Sequence, residues 1–211
     1  MSPSRQLGIL GGTFDPVHYG HLSLALAARR CADLDRVLMV PSGQPPHKPQ
    51  GAAASAADRL AMVRLAAEDQ PGLEVWDGEV KRDGPSRTYD TLVQLATEFA
   101  DCDLHFILGS DALREIASWY RYPEVLDLAI FVVCDRPGER LLSLAELEAI
   151  GIASHRVRVC ESSGLVDVEA RQVRASIAAG HPLDGLVHPK VADYIRRNHL
   201  YMAPVGVEAE D

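Results

Sequence analysis

Gly8-Ile9-Leu10-Gly11-Gly12-Thr13-Phe14-Asp15-Pro16-Val17-His18-Tyr19-Gly20-His21 is the stretch on which the reading of this chain turns. An apolar run ends at two adjacent glycines, as a buried strand does when its backbone must come close to a ligand with no Cβ in the way. A helix is expected to begin near Tyr19 or Gly20. Its unpaired N–H groups and positive dipole end form a natural phosphate site. His18 and His21 are three residues apart and share one face of that first turn, where imidazoles donate to phosphate oxygens. The stretch matches neither GxGxxG nor GxxxxGK[ST], which sets aside hydride transfer and ordinary kinase chemistry. The bland alternative is a glycine turn whose two surface histidines merely cap a helix.

Outward from this loop, short apolar runs alternate with helical patterns. Strands are expected at Leu7–Leu10, Val37–Val40, Leu73–Trp76, His105–Leu108, Ala129–Val133 and Val157–Val159. Helices are expected near 20–31, 56–69, 89–99, 112–117 and 143–150, with two more at Arg171–Ala179 and Lys190–Asn198. Alternation of this kind builds a parallel sheet from βαβ units. The runs Phe106-Ile107-Leu108-Gly109 and Ala129–Cys134 are apolar on both faces, as buried parallel strands should be. Ser42–Ser55, rich in proline and small residues, and the charged segment Lys81–Ser86 read as loops too short to separate domains. One domain over 1–204 and an acidic, frayed tail over 205–211 are therefore expected.

The bulk composition sets limits. At 211 residues and 47% apolar, the chain can bury a real core. It holds no run of about 18 apolar residues, so no membrane partner is expected. Met1–Gln6 lacks the pattern of a secretory signal. A net charge of −9 argues against nucleic acid as a partner, although a local cluster of His, Lys and Arg can still receive a small phosphorylated ligand. Cys31, Cys102, Cys134 and Cys160 are far apart and form no CxxC pair. Neither a zinc site nor a disulfide is expected, and a reduced, cytoplasmic setting fits best.

Gly11–His21 resembles the T/HxGH motif of the nucleotidyltransferase superfamily, and most of all that of the bacterial nicotinate mononucleotide adenylyltransferases. The likeness runs from Gly8 to Tyr201. It implies a Rossmann-like, doubly wound parallel sheet of the nucleotidyltransferase type with a small C-terminal helical part. It assigns the ATP phosphates to His18 and His21, and places Gly11, Gly12, Thr13 and Phe14 at the nucleotide. Pro45-Pro46-His47-Lys48 resembles the family's PPHK segment, whose lysine approaches phosphate; Lys48 would otherwise be a solvated loop residue. Asp58–Met62 resembles the family's DR-x-x-M stretch and reads first as structural. Ser86–Leu92 resembles SYTxxTL, which implies Thr88 and Tyr89 at the mononucleotide; Arg87 departs from the usual tyrosine, and Thr88 would serve equally as a helix cap. Gly109 and Asp111 match an element at the ATP ribose, Trp119 and Tyr120 an aromatic pair that stacks on the pyridine ring, and Arg136 an RPG turn that meets phosphate.

The likeness departs from the family at Val168-Glu169-Ala170-Arg171-Gln172-Val173-Arg174, where relatives read ISxTxIR. Arg174 is kept, Glu169 stands for a serine and Arg171 for a threonine. Arg171 can replace a lost hydroxyl with a charged donor, whereas Glu169 must turn away or pair with an arginine if ATP is to bind.

The implied reaction is adenylyl transfer from ATP to nicotinate mononucleotide, giving deamido-NAD and pyrophosphate, with His18, His21, Lys48 and Arg174 as charge-neutralising donors. Mg²⁺ is expected to arrive with ATP, with no protein-only metal cage. Phosphopantetheine adenylyl transfer, a non-catalytic nucleotide sensor and a fragment of a class I aminoacyl-tRNA synthetase are the competing readings. A homo-oligomer stays open.

Overall fold

A computed structural model describes residues 4–46, 51–134, 143–160 and 164–202. Its centre is β1 (Arg5–Gly12), flanked in sheet order by β2 (Arg36–Pro41) and β3 (Leu73–Val75) on one side. On the other side lie β4 (Cys102–Leu108), β5 (Ile130–Cys134) and β6 (Val157–Cys160). The order β3-β2-β1-β4-β5-β6 is entirely parallel. The chain winds outward in one direction from β1 and in the other from β4. Ligands of open α/β sheets bind beyond the carboxyl ends of the strands at such a reversal. The register brings Ile9 opposite Phe106 and Gly12 opposite Pro41, so the double glycine opens onto that crevice.

Strand residues are apolar on both sides but divide by parity. Leu7, Ile9, Leu38 and Val40 face a core completed by Leu92, Leu95, Leu108 and Phe131. Leu10, Val37 and Met39 face a second core with Leu22, Ala25, Met62, Val191 and Ile195. The first is covered by α4 (Thr88–Glu98) and the turns after α5 (Ser110–Arg114). The second is covered by α1 (Tyr19–Cys31), α2 (Ala56–Ala67), α7 (Ala170–Ala178) and α8 (Pro189–Arg197). The remaining α-helices among the described residues are the single turn α3 (Gly78–Lys81), whose last residue opens the expected Lys81–Ser86 loop, and α6 (Leu144–Ala149). Among the described residues no helix is long and apolar enough to cross a membrane. The expected tail, 205–211, lies outside the described residues.

One expectation is overturned. Cys31, at the end of α1, and Cys160, at the end of β6, form a disulfide with Cα atoms 5.8 Å apart. They are 129 residues apart in the chain, and spacing alone carried no sign of the pairing. Packing of α1 across the β6 side of the sheet brings them together. Closing so long a loop restricts the unfolded chain, which stabilises a fold by about 4 kcal/mol. Reduction, or Cys31→Ser, is expected to lower the melting temperature by several degrees; melts identical with and without reductant would contradict the crosslink.

Candidate active site

The loop from β1 to α1 is held from four directions. Phe14 takes a left-handed backbone (φ 49°), and the Asp15–Pro16 peptide is cis. The buried Asp15 carboxylate accepts from the amides of Ala53 (2.8 Å) and Ala54 (3.0 Å) and from the Tyr201 hydroxyl (2.9 Å). Burial, followed by the Asp15 charge, pushes the Tyr201 phenol far above its ordinary pKa, so it stays a donor. Arg59, 1% exposed, donates to the carbonyls of Thr13 (2.7 Å), Gly43 (3.1 Å) and Ala54 (3.3 Å). Burial pulls its pKa down, and the Asp15 charge opposes that shift. The structural reading of the Asp58–Met62 stretch agrees with this: Ser55 caps α2 at Asp58, and Arg59 ties three loops together.

This clamping delivers the two histidines. His18 is the N-cap residue of α1 and is 5% exposed. Its amide donates to His21 Nδ1 at 3.3 Å, and the two rings stack with centroids 3.7 Å apart. A neutral His21 that accepts at Nδ1 carries its proton at Nε2 and is a donor there. The Phe14 ring meets His21 edge-on at 4.8 Å. No acidic residue occupies the first turn of α1, so the positive field of its amides is not cancelled locally.

A cavity of about 730 Å³ opens over the carboxyl ends of β1 and β4. Gly11, Gly12, Thr13, His21 and Gly109 line it, and so do Thr88, Trp119 and Tyr120. Candidates from the nucleotide end and the pyridine end thus share one continuous space. His18, Gly20, His21, Gly109 and Asp111 line an adjoining cleft of about 120 Å³, closed by Leu165–Val168. A Cβ at Gly109 would meet Asp111 Oδ1 at 2.6 Å, so any side chain there would displace the Asp111 carboxylate from this corner. Trp119 is half-buried and meets Phe106 edge-on at 5.8 Å.

The remaining candidates lie elsewhere. The Phe14 side chain is 1% exposed and supports the loop from beneath. Tyr89 packs edge-on to Tyr120 at 6.3 Å, behind the cavity wall. Arg174 Nη1 donates to the Asp15 carbonyl at 2.6 Å, and so braces the loop that presents the histidines. Arg171 pairs with Glu169 (3.4 Å) on an exposed surface outside the main cavity. Lys48 and Arg136 lie outside the described residues.

Sequence reading missed a polar wall of the same cavity. Ser42, Glu79, Ser86 and Thr91 line it. Gly43 N–H donates to Ser86 Oγ (2.9 Å), Thr91 donates to Glu79 Oε1 (2.6 Å), and Arg82 Nη2 donates to Thr91 Oγ1 (3.0 Å). A Cβ on Gly43 would sit 2.3 Å from the Glu79 carbonyl oxygen, so this contact admits only glycine. Ser42 Oγ is buried and lacks a hydrogen-bond partner among the described residues, which leaves it available to a molecule bound in the cavity. The glycine and serine pattern was visible, but nothing local singled out Glu79.

Burial pushes the Glu79 carboxyl above the ordinary carboxylate range, against the bonds from Thr91 and Ser86 and the charge of Arg82. The folded chain therefore holds this proton more tightly than the unfolded chain. Its contribution to stability is full below the ordinary value and declines as pH rises through the shifted one. Glu79→Gln is expected to flatten that portion of the curve in melts taken upward in pH from the ordinary carboxylate value; an unchanged slope would mean that Glu79 does not titrate above it.

Comparison with known proteins shows the family and the fold. The sequence profile of the Cytidylyltransferase-like family matches residues 9–168. A probable nicotinate-nucleotide adenylyltransferase of Citrifermentans bemidjiense is 38% identical over 212 residues, spanning 93% of this chain and 98% of the relative. One from Aeromonas hydrophila is 42% identical, over 92% of this chain and 96% of the relative. The nicotinic acid mononucleotide adenylyltransferase of Plasmodium falciparum, solved in complex with NaAD, superposes with a TM-score of 0.72 at 17% identity, over 93% of this chain and 97% of that one. At that identity the likeness speaks for the fold alone.

Proposed function

The chain belongs to the nicotinate-nucleotide adenylyltransferases within the Cytidylyltransferase-like family, and on that premise we propose how its cavity carries out adenylyl transfer in NAD biosynthesis. ATP lies over Gly11, Gly12 and Thr13 with its phosphates toward His18 and His21. Nicotinate mononucleotide lies with its ring at Trp119 and its 5′-phosphate toward the ATP α-phosphorus. A 5′-phosphate oxygen attacks that phosphorus in line; the new P–O bond forms as the bond to the β-phosphate bridging oxygen breaks. Pyrophosphate leaves with that electron pair, and deamido-NAD remains. The nucleophile is already an anion, so no general base is required. Catalysis is positioning plus neutralisation of developing charge.

One observation carries this reading: a single cavity joins the histidine-capped helix start to the aromatic pair at the point where the strand order reverses. His21 supplies a donor at Nε2 and the α1 amides supply more. Arg174 acts through its hold on Asp15, while Lys48 and Arg136 keep their proposed phosphate roles. Asp111 and Asp167 offer hard oxygen donors beside the histidines in the adjoining cleft. Among the described residues no three His, Cys, Asp or Glu side chains converge as a metal cage. Asp111 and Asp167 would help to hold a Mg²⁺ that arrives with ATP, and the ion would supply charge neutralisation. Residues 1–204 act as one nucleotidyltransferase domain. Both substrates are highly charged and do not cross a bilayer unaided, which is the remaining support for action in the cytoplasm, since the Cys31–Cys160 disulfide removes the argument from unpaired cysteines.

The test is incubation with ATP, Mg²⁺ and, separately, nicotinate mononucleotide and phosphopantetheine, following pyrophosphate and the coupled product. Deamido-NAD with equimolar pyrophosphate is expected from the first. Product only from the second, or calorimetric ATP binding without pyrophosphate release, would replace this reading with another acceptor or with a nucleotide sensor.

A further inference from the structure

The Cys31–Cys160 disulfide stands beside the small cleft at the histidines. Cys160 closes β6 and is paired in register with Cys134 at the end of β5, and Cys134 lines that cleft. Neighbouring strands lie about 4.8 Å apart, so one strand spacing separates the crosslinked residue from the cleft wall. β6 is a four-residue edge strand, and β5 is its one sheet neighbour among the described residues. Another side of the same cleft is formed by Leu165–Val168. That strap rests on the first turns of α1. Val166 N–H donates to Ser23 Oγ at 2.9 Å, and a Cβ on Gly20 would sit 2.7 Å from the Val168 carbonyl oxygen. The strap leads into α7, whose Arg174 holds the Asp15 carbonyl. Helix α1 therefore carries the histidines at its start, the strap along its first turns, and a covalent link to β6 at its last residue, Cys31.

We infer that this disulfide is a redox switch for the phosphate cleft: oxidised, it holds β6 and the strap against α1; reduced, it releases them and weakens the binding of a polyphosphate. The inference rests on the phosphate site and the cytoplasmic setting proposed above. Disulfides that form in a reducing compartment are mostly transient and serve catalysis or redox sensing. The two sulfurs differ in access: Cys31 is exposed, whereas Cys160 is 1% exposed. A dithiol reductant therefore meets Cys31 first. Its thiolate attacks Cys31 Sγ; the new S–S bond forms as the Cys31–Cys160 bond breaks, and Cys160 leaves as a thiolate and takes up a proton. The second thiol of the reductant then attacks its own sulfur in the mixed disulfide, and Cys31 leaves as a thiol. Two electrons pass from the dithiol, which ends as a disulfide, to the two cysteines. The strap then keeps only the Ser23 bond and its packing on α1, and β6 keeps a four-residue ladder. The Asp15 and Arg59 clamps on the histidine loop involve neither cysteine, so the change is confined to the cleft side of the site.

The experiment compares the full-length protein oxidised and after reduction by dithiothreitol, with Cys31→Ser as a form that cannot close the bond. Alkylation and mass spectrometry count the thiols, calorimetry measures ATP affinity, and amide hydrogen exchange reads residues 165–168. Reduction is expected to expose Cys31 and Cys160 to alkylation and to weaken ATP binding by about 5-fold or more, the lower end of ordinary coupling between two sites. Exchange at 165–168 should quicken, and oxidised glutathione should reverse all three changes. KM for the mononucleotide should move little, because Trp119 and α4 pack on the opposite face of the sheet from Cys160 and Val168. Cys31→Ser should match the reduced protein and respond to neither reagent. Cys31 is exposed, so this variant should fold, which melting checks. Equal ATP affinity and exchange in the two states would make the bond a stabilising crosslink only and overturn the inference. So would a bond that dithiothreitol does not open in the folded protein, or a response to reductant that Cys31→Ser retains. If ATP binds in neither state, the phosphate-site reading fails first and takes the switch with it, whatever the exchange at 165–168.

Discussion

His21→Ala is expected to lower kcat by about 100- to 1,000-fold, the range seen when one preorganised donor to transition-state charge is removed. The imidazole lies where the main cavity and the smaller cleft meet, and its Nδ1 is engaged by the His18 amide, so its donor position is Nε2. Charge builds on the leaving pyrophosphate as the α-phosphorus bond breaks, and a donor already in place needs no reorganisation at that moment. The effect should appear in kcat more than in KM for ATP, because the α1 amides continue to bind ground-state phosphate. His18→Ala is expected to act in the same direction. The His18 backbone amide survives that change, so the orientation of His21 is retained. Turnover near the unaltered rate in both variants, with folding intact, would remove the histidines from the mechanism.

Arg59→Met is expected to destabilise the fold by about 3–5 kcal/mol, the range for breaking a buried charged network by removing one partner. Methionine fills part of the space but donates nothing, so the carbonyls of Thr13, Gly43 and Ala54 lose their charged donor together. Two of these belong to the cavity's loops, one on each wall. The variant should therefore also lose activity at temperatures where it remains folded. Denaturant melts with kinetics below the transition measure both. Lost stability with unchanged kinetics in the folded fraction would mean that the clamp holds the protein together without shaping the site.

The part of this architecture that was legible in the sequence is the part that is local. Gly8–His21 spells out strand, glycine turn and helix start in consecutive residues, and each step has a one-residue cause. The remaining strands announced themselves as apolar runs, and Trp119 and Tyr120 as an adjacent pair. The supports of the site come from far along the chain and left no local pattern. Arg174 meets the Asp15 carbonyl across 159 residues, and the Tyr201 hydroxyl meets the Asp15 carboxylate across 186. Cys31 and Cys160 are joined only because α1 packs beside β6. Glu79 belongs to no motif in the sequence, and only α3 and the 86–91 segment enclose it. Arg87 is intermediate between the two groups: its departure from the expected tyrosine was visible, but its seat on Tyr120, with the guanidinium carbon 3.9 Å from the ring centre, was not.

The central claim is that a polyphosphate lies against His18 and His21 over the turn at Gly11–Thr13, in the same cavity as the aromatic pair. A crystal structure with a non-hydrolysable ATP analogue and nicotinate mononucleotide tests it most directly. The account predicts the triphosphate within hydrogen-bond reach of both imidazoles and the pyridine ring against Trp119. A triphosphate seated at any other surface, or a cavity empty at saturating ligand, would contradict it.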